Sequence, residues 1–200
     1  MYYFDNAATS YPKPNEVYDK LIDIMKTKGA NPGRGSHTMA LEASRVIYDT
    51  RCKLANLFNI DNPLNIAFTP NATQSLNMAI KGYLRKGDHV VTTSLEHNSV
   101  LRPIYSLEED RGVEVTIVEA DSNGIISTED ISSAIKKNTR AVVMTHASNL
   151  TGTILPIKEV GKLCRERNIT LIVDASQSAG YLDIDVDDMN IDILCFTGHK

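Results

Sequence analysis

The apolar positions change their period part-way along the chain. From Asn15 to about Lys28, and again from about Thr38 to Phe58, they recur at helical spacing, and Leu41, Val46, Leu54 and Leu57 give the second stretch an apolar stripe. Asn15 suits the cap of the first helix. Residues 1–14 read as an irregular arm, because Pro12 and Pro14 oppose helix there. Gly29 to Gly35 is rich in Gly, Pro and Asn and is expected to be a loop.

Farther on, short β-like runs alternate with helical patterns. The runs are Leu64–Thr69, His89–Thr93, Val113–Val118, Ala141–Thr145, Thr170–Val173 and Ile191–Phe196; the helical patterns cover 72–85, 98–111, 127–137 and 156–168. Ser127 with Asp130 reads as a capping box, and Pro156 suits the first turn of its helix. Strands alternating with helices predict an α/β fold, a three-layer α/β/α arrangement around a mainly parallel sheet. Ligands of such sheets bind beyond the carboxyl ends of the strands. Thr69, Thr93, Thr145, Asp174 and Thr197 are predicted to line that edge.

Two residues at that edge have complementary chemistry. Lys200 follows the last apolar run through Thr197-Gly198-His199, and Asp174 ends the run before it. A lysine amine condenses with the aldehyde of pyridoxal 5′-phosphate (PLP) to form a Schiff base, and an aspartate keeps a proton on the ring nitrogen so that the ring serves as an electron sink. Read singly, each residue has a plainer alternative. Lys200 alone suits a surface, and Asp174 suits a helix cap or a magnesium site. Ala72-Thr73-Gln74-Ser75 offers N–H groups and hydroxyls to a phosphate, or equally a helix cap after Asn71. His97 suits stacking on a planar cofactor and proton shuttling, or a solvated loop beside a cap. Asn149 suits a cofactor oxygen and a substrate carboxylate, or the turn that leads to Gly152. Gln177 is within reach of a phenolic oxygen, and Thr197 and His199 offer donors to a phosphate.

In order along the chain these segments form a series: Phe4-Asp5-Asn6-Ala7-Ala8-Thr9, Asn31-Pro32-Gly33-Arg34-Gly35-Ser36-His37, Ala72-Thr73-Gln74-Ser75-Leu76-Asn77, Glu96-His97-Asn98-Ser99, Ser148-Asn149 with Gly152, Asp174-Ala175-Ser176-Gln177 and Thr197-Gly198-His199-Lys200. The series resembles the class V aminotransferase family of fold-type I PLP enzymes, and most closely its cysteine desulfurase and selenocysteine lyase-like branch. The resemblance covers nearly the whole chain, up to the PLP lysine. It implies PLP as cofactor, held by Ala72, Thr73, His97, Asn149, Asp174, Gln177, Thr197, His199 and Lys200. It implies Lys200 and His97 as the catalytic pair, and His37 and Asn149 on the substrate side. Arg34 and Arg102 are the nearby cations to consider for a substrate carboxylate, or equally members of a solvated face. The activity implied is conversion of L-cysteine to L-alanine, with the sulfur passed to an enzyme cysteine persulfide and on to acceptors. A selenocysteine lyase, another PLP β-lyase or an aminotransferase is the alternative within the fold. A non-catalytic PLP-binding module that needs a partner chain is the alternative outside it. A homodimer and a sulfur-acceptor protein are further implications.

Family members run to about twice this length, with a second half carrying a small domain, the persulfide cysteine and a carboxylate-binding arginine. The expectation is therefore an arm over 1–14 and a PLP-binding large domain over 15–200, forming the first part of a longer protein. Composition narrows the remaining choices. The chain has 200 residues, 42% hydrophobic and 23% charged, with a net charge of −4. Those are globular values, and the absence of a basic cluster argues against nucleic acid as a partner. No apolar run approaches a membrane span and no signal-peptide pattern opens the chain, so a cytoplasmic location is expected. Cys52, Cys164 and Cys195 form no Cys-x-x-Cys pair and are expected to be reduced. No metal site is expected, because Cys and His do not cluster at ligand spacing.

Overall fold

The computed structural model describes residues 2–33 and 35–200. The chain divides into two compact units, Met1–Ala67 with His199–Lys200, and Phe68–Gly198.

The second unit is built on a five-stranded parallel sheet. Its strands are β1 (His89–Thr93), β2 (Glu114–Val118), β3 (Thr139–Thr145), β4 (Thr170–Asp174) and β5 (Ile193–Cys195), in the order β2-β1-β3-β4-β5. Four helices connect and cover them: α3 (Ala72–Tyr83), α4 (Asn98–Arg111), α5 (Thr128–Ala134) and α6 (Ile157–Glu166). On one face, Leu76, Ile80, Val100, Ile104 and Leu107 of α3 and α4 pack with Val90, Ala141, Val143, Ile172 and Cys195 of the sheet. Side chains alternate across a strand, so the buried Val91, Val142, Met144, Leu171 and Val173 belong to the opposite face. There α5 and α6 pack on β2, β4 and each other. The fold is thus the expected α/β arrangement with a parallel sheet. Its strand order reverses between β1 and β3, and doubly wound sheets open a ligand crevice at the carboxyl side of such a point.

Local signals account for most element ends. Ser127 and Asp130 exchange both capping-box hydrogen bonds at the start of α5. Gly112, at φ +63°, ends α4, and its N–H and that of Val113 return to the carbonyls of Glu108 and Leu107. Gly161 lets α6 approach the chain closely, since a Cβ there would lie 1.9 Å from the carbonyl oxygen of Met189. His89 is fully buried and ties three strands together, with Nδ1 2.7 Å from Thr139 Oγ1 and Nε2 2.7 Å from Thr116 Oγ1.

The first unit contains α1 (Asn15–Thr27) and α2 (Thr38–Phe58). Three expectations need correction. Pro14, not Asn15, occupies the cap position of α1. The buried face of α2 is Ala40, Ala43, Ala55 and Phe58, whereas Leu41 and Leu57 of the expected stripe are exposed. The run Leu64–Thr69 is not a strand. A single 3-10 turn spans Pro63–Asn65, capped by Asn62, whose Oδ1 accepts the Leu64 N–H at 3.0 Å. The Ile66 carbonyl, which a strand neighbour would engage, accepts instead from Arg51 Nε of α2 at 3.0 Å. Thr69 therefore ends no strand, and its hydroxyl donates to the Asn71 carbonyl.

Candidate active site at the carboxyl edge of the sheet

Asp174 is the last residue of β4 and only 4% exposed. It lies two residues after Ile172, so its side chain emerges on the face covered by α3 and α4. Its Oδ1 accepts from the N–H and hydroxyl of Ser176 at 2.9 and 2.5 Å. Among the described residues the lysine–carboxylate pairs lie elsewhere, at Lys20–Asp23, Lys136–Glu114 and Lys158–Asp188. A buried carboxylate without a cation is costly, so this position suits a cationic ring nitrogen.

The first turn of α3 opens on the same face. Leu76 and Ile80 of that helix pack with Ile172 and with Cys195, the register partner of Asp174. Asn71 caps the helix by accepting the Gln74 N–H at 2.9 Å. Among the described residues the N–H groups of Ala72 and Thr73 receive no protein acceptor. Two orphan amides at a helix N-terminus suit an anionic oxygen. Thr73 is exposed there, while Thr197, just past β5, is half-buried. The chemistry of this donor set fits PLP: a carboxylate for the ring nitrogen and N–H groups for the phosphate.

The other expected residues of this unit lie on loops that leave the same strand ends. His97 follows β1 and caps α4, with Nδ1 accepting the Ser99 N–H at 3.1 Å and lying 2.7 Å from Ser99 Oγ. An Nδ1 used as acceptor leaves the proton of the neutral ring on Nε2. Asn149 sits half-exposed in a turn after β3, where Gly152, at φ +72°, donates its N–H to the Ser148 carbonyl at 3.0 Å. Gln177 is half-buried in the turn that follows Asp174. Arg102 is exposed on α4, and Arg34 lies outside the described residues.

His37, His199 and Lys200 belong to the first unit. His37 caps α2 through Nδ1, which accepts the Ala40 N–H at 3.4 Å. A Cβ at Gly35 would come within 2.7 Å of the His37 ring, so a larger residue there would require the ring to shift. The carbonyl of His199 is gripped by the N-terminal arm. It accepts from Lys13 Nζ at 2.7 Å, Thr9 Oγ1 at 2.9 Å, and the Ser10 hydroxyl and N–H at 3.2 and 3.3 Å. Thr9 Oγ1 also lies 3.1 Å from His199 Nδ1. The residue before Lys200 is thereby anchored by a segment nearly two hundred positions away, a contact for which the arm's composition gives no signal.

Sequence reasoning also missed Glu96, whose motif it noted without a role for the carboxyl. The group is buried beside the edge, and burial is the main cause that pushes its pKa up to about 8. His146, just past β3, is buried too, and desolvation lowers its pKa. The three cysteines are free. Burial pushes the Cys164 thiol up to about 12 and Cys195 up to about 11, so both are protonated at neutral pH and poor nucleophiles. Among the described residues no cluster of three His, Cys, Asp or Glu could hold a metal ion, and no helix is long and apolar enough to cross a membrane.

Comparison with known proteins places this geometry in context. The family model described as aminotransferase class V matches residues 2–200. The chain is 41% identical over 204 aligned positions to the cysteine desulfurase IscS of Vibrio campbellii, covering 99% of this chain and 50% of that protein. It is 37% identical over 199 positions to a probable cysteine desulfurase of Methanothermobacter thermautotrophicus, covering 99% and 49%. Among solved structures, the apo cysteine desulfurase of Thermococcus onnurineus NA1 superposes with a TM-score of 0.92 at 32% identity, over 99% of this chain and 50% of that one. SspA in complex with cysteine gives a TM-score of 0.92 at 36% identity, over 100% and 57%. The chain thus spans about half the length of the curated relatives it matches.

Proposed function

The chain belongs to the class V aminotransferase family, and we propose that it is the PLP-binding part of a cysteine desulfurase, with residues 15–200 as the large domain and 1–14 as an arm. The observation that carries this reading is Asp174, a buried carboxylate with no cationic partner among the described residues, beside a helix whose first N–H groups are open. When bound, PLP supplies an electron sink for chemistry at the α-carbon of an amino acid.

The chain's own residues then divide the work. Asp174 accepts a hydrogen bond from the protonated ring nitrogen. The N–H groups of Ala72 and Thr73, with the side chains of Thr73, Thr197 and His199, take the phosphate. His97 would stack on the ring, its capping bond leaving Nε2 to hold or pass a proton. Asn149 and Gln177 would bind the phenolic oxygen, and His37 and Asn149 would serve the substrate. Lys200 would hold the cofactor through its amine and would serve as a proton carrier.

The substrate proposed is L-cysteine, and the product L-alanine. The carbon–sulfur bond breaks, the sulfur passes to a cysteine thiolate, and the alanine carbon gains a proton. The shielded thiols of Cys164 and Cys195 make them unfit for that attack, and the proposed persulfide cysteine lies outside these 200 residues. A homodimer, a sulfur-acceptor protein and a cytoplasmic location complete the proposal.

Product analysis tests it. The PLP-loaded full-length protein is given L-cysteine and a thiol reductant, with Lys200→Ala as control. Equal amounts of alanine and sulfide, lost with the visible cofactor band in Lys200→Ala, support desulfuration. Pyruvate and ammonia beside the sulfide would replace it with β-elimination.

A further inference from the structure

Among the described residues, four enclosed side-chain atoms have no hydrogen-bond partner: Thr92 Oγ1, Glu96 Oε2, His146 Nδ1 and Ser178 Oγ. Glu96 is the one whose neighbours explain its state. Its Oε1 accepts from Thr93 Oγ1 at the end of β1, at 2.7 Å, and from the Thr145 N–H at the end of β3, at 2.8 Å. The carboxyl therefore bridges the two strands between which the sheet order reverses. Thr145 is in turn the register partner of Asp174, and its hydroxyl lies 3.4 Å from the Asp174 carbonyl oxygen. Two carboxyl groups thus flank one residue of β3.

Two neighbouring buried carboxyls do not both ionise cheaply. Both have two donors on one oxygen. They differ at the other oxygen. Glu96 Oε2 is shut in without a donor, whereas Asp174 leaves no such enclosed orphan. An ionised Glu96 would carry charge on an oxygen that nothing solvates. We infer that Glu96 is a positioning residue, a neutral carboxylic acid clamped across the ends of β1 and β3, which leaves Asp174 as the charged member of the pair facing the ring nitrogen. This inference rests on the PLP reading above. The clamp also fixes the backbone one residue before His97. Burial, opposed by the Thr93 and Thr145 bonds and reinforced by the Asp174 charge, pushes the Glu96 pKa from 4.5 up to about 8, in keeping with the geometry.

Glutamine separates charge from shape, since its amide oxygen can take both donors and its NH2 replaces the acid O–H. The first readout needs no cofactor. With a folded pKa above the unfolded one, the stability Glu96 contributes is fully present below about pH 4.5 and lost as pH rises to about 8. His97 beside it, His146 beyond β3 and Asp174 across β3 are common to both proteins, so the difference isolates Glu96. The melting temperature of Glu96→Gln should rise relative to wild type between those limits; a constant gap across that range would overturn neutrality. The second readout is PLP affinity of the full-length protein. Glu96→Gln should bind PLP within roughly threefold of wild type and Glu96→Leu roughly tenfold or more weakly, from loss of the two bonds to Oε1. Glu96→Gln as weak as Glu96→Leu, or Glu96→Leu equal to wild type, would overturn the role. If instead Lys200→Ala keeps the wild-type visible band, the PLP reading itself fails, whatever Glu96 does.

Discussion

Helices α1 and α4 carry the same kind of apolar spacing and meet different fates. In α4, Val100, Ile104 and Leu107 are 0–2% exposed within the sheet unit. In α1, Val17, Leu21 and Met25 remain 48, 57 and 70% exposed, and the helix buries no residue at all. Periodicity specifies a helix from local information, but burial depends on what lies opposite. The sheet unit supplies that surface from its own strands, whereas among the described residues nothing in the first unit buries the apolar side of α1.

That contrast can be broken at a chosen position. Gly161→Ala should cost most, about 3 kcal/mol or more, because the new methyl would meet the Met189 carbonyl oxygen, a backbone atom that no side-chain rotation can move aside. Chemical unfolding measures it, and a variant of wild-type stability would mean that α6 does not approach that loop. The comparison sharpens with one substitution made in both helices. Ile104→Val should cost about 1 kcal/mol, as for a methylene removed from a packed core. Ile22→Val in α1, at 51% exposure, should stay within about 0.5 kcal/mol. Equal losses at both sites would show that α1 is covered in solution.

Legibility in the sequence follows the same division. Elements specified locally were readable: α2 runs from Thr38 to Phe58 and β1 from His89 to Thr93, as the patterns predict, and the Ser127–Asp130 box forms. Features set by distant partners were not. Leu64–Thr69 has the composition of a strand, yet Pro63, the Asn62 cap and Arg51 satisfy its backbone in another way. The α2 stripe misled because large side chains outweigh Ala40, Ala43 and Ala55 in such a reading, although small residues are the ones buried. β5 shrinks to Ile193–Cys195, and ahead of it the Asp192 carboxylate accepts the Leu171 N–H at 2.8 Å in place of a ladder carbonyl.

The candidate site divides likewise. Asp174 at a strand end and the open turn at Ala72 were legible, because a strand boundary and a helix start are local. The burial of Glu96 was not, since a glutamate in a loop motif reads as solvated until β1 and β3 are brought side by side. The grip of Thr9, Ser10 and Lys13 on His199 was hidden for the same reason.

The most direct test of the account is a PLP titration of wild type against Asp174→Asn, followed by absorbance. Asparagine keeps an acceptor for Ser176 and removes only the charge, so the fold should survive. The account predicts PLP binding weakened roughly a hundredfold, as for losing one partner of a buried charge pair, with the bound cofactor's spectrum shifted by loss of the ring proton. Wild-type affinity and an unchanged spectrum would contradict it, and would mean that the buried carboxylate at the end of β4 serves the turn rather than the cofactor.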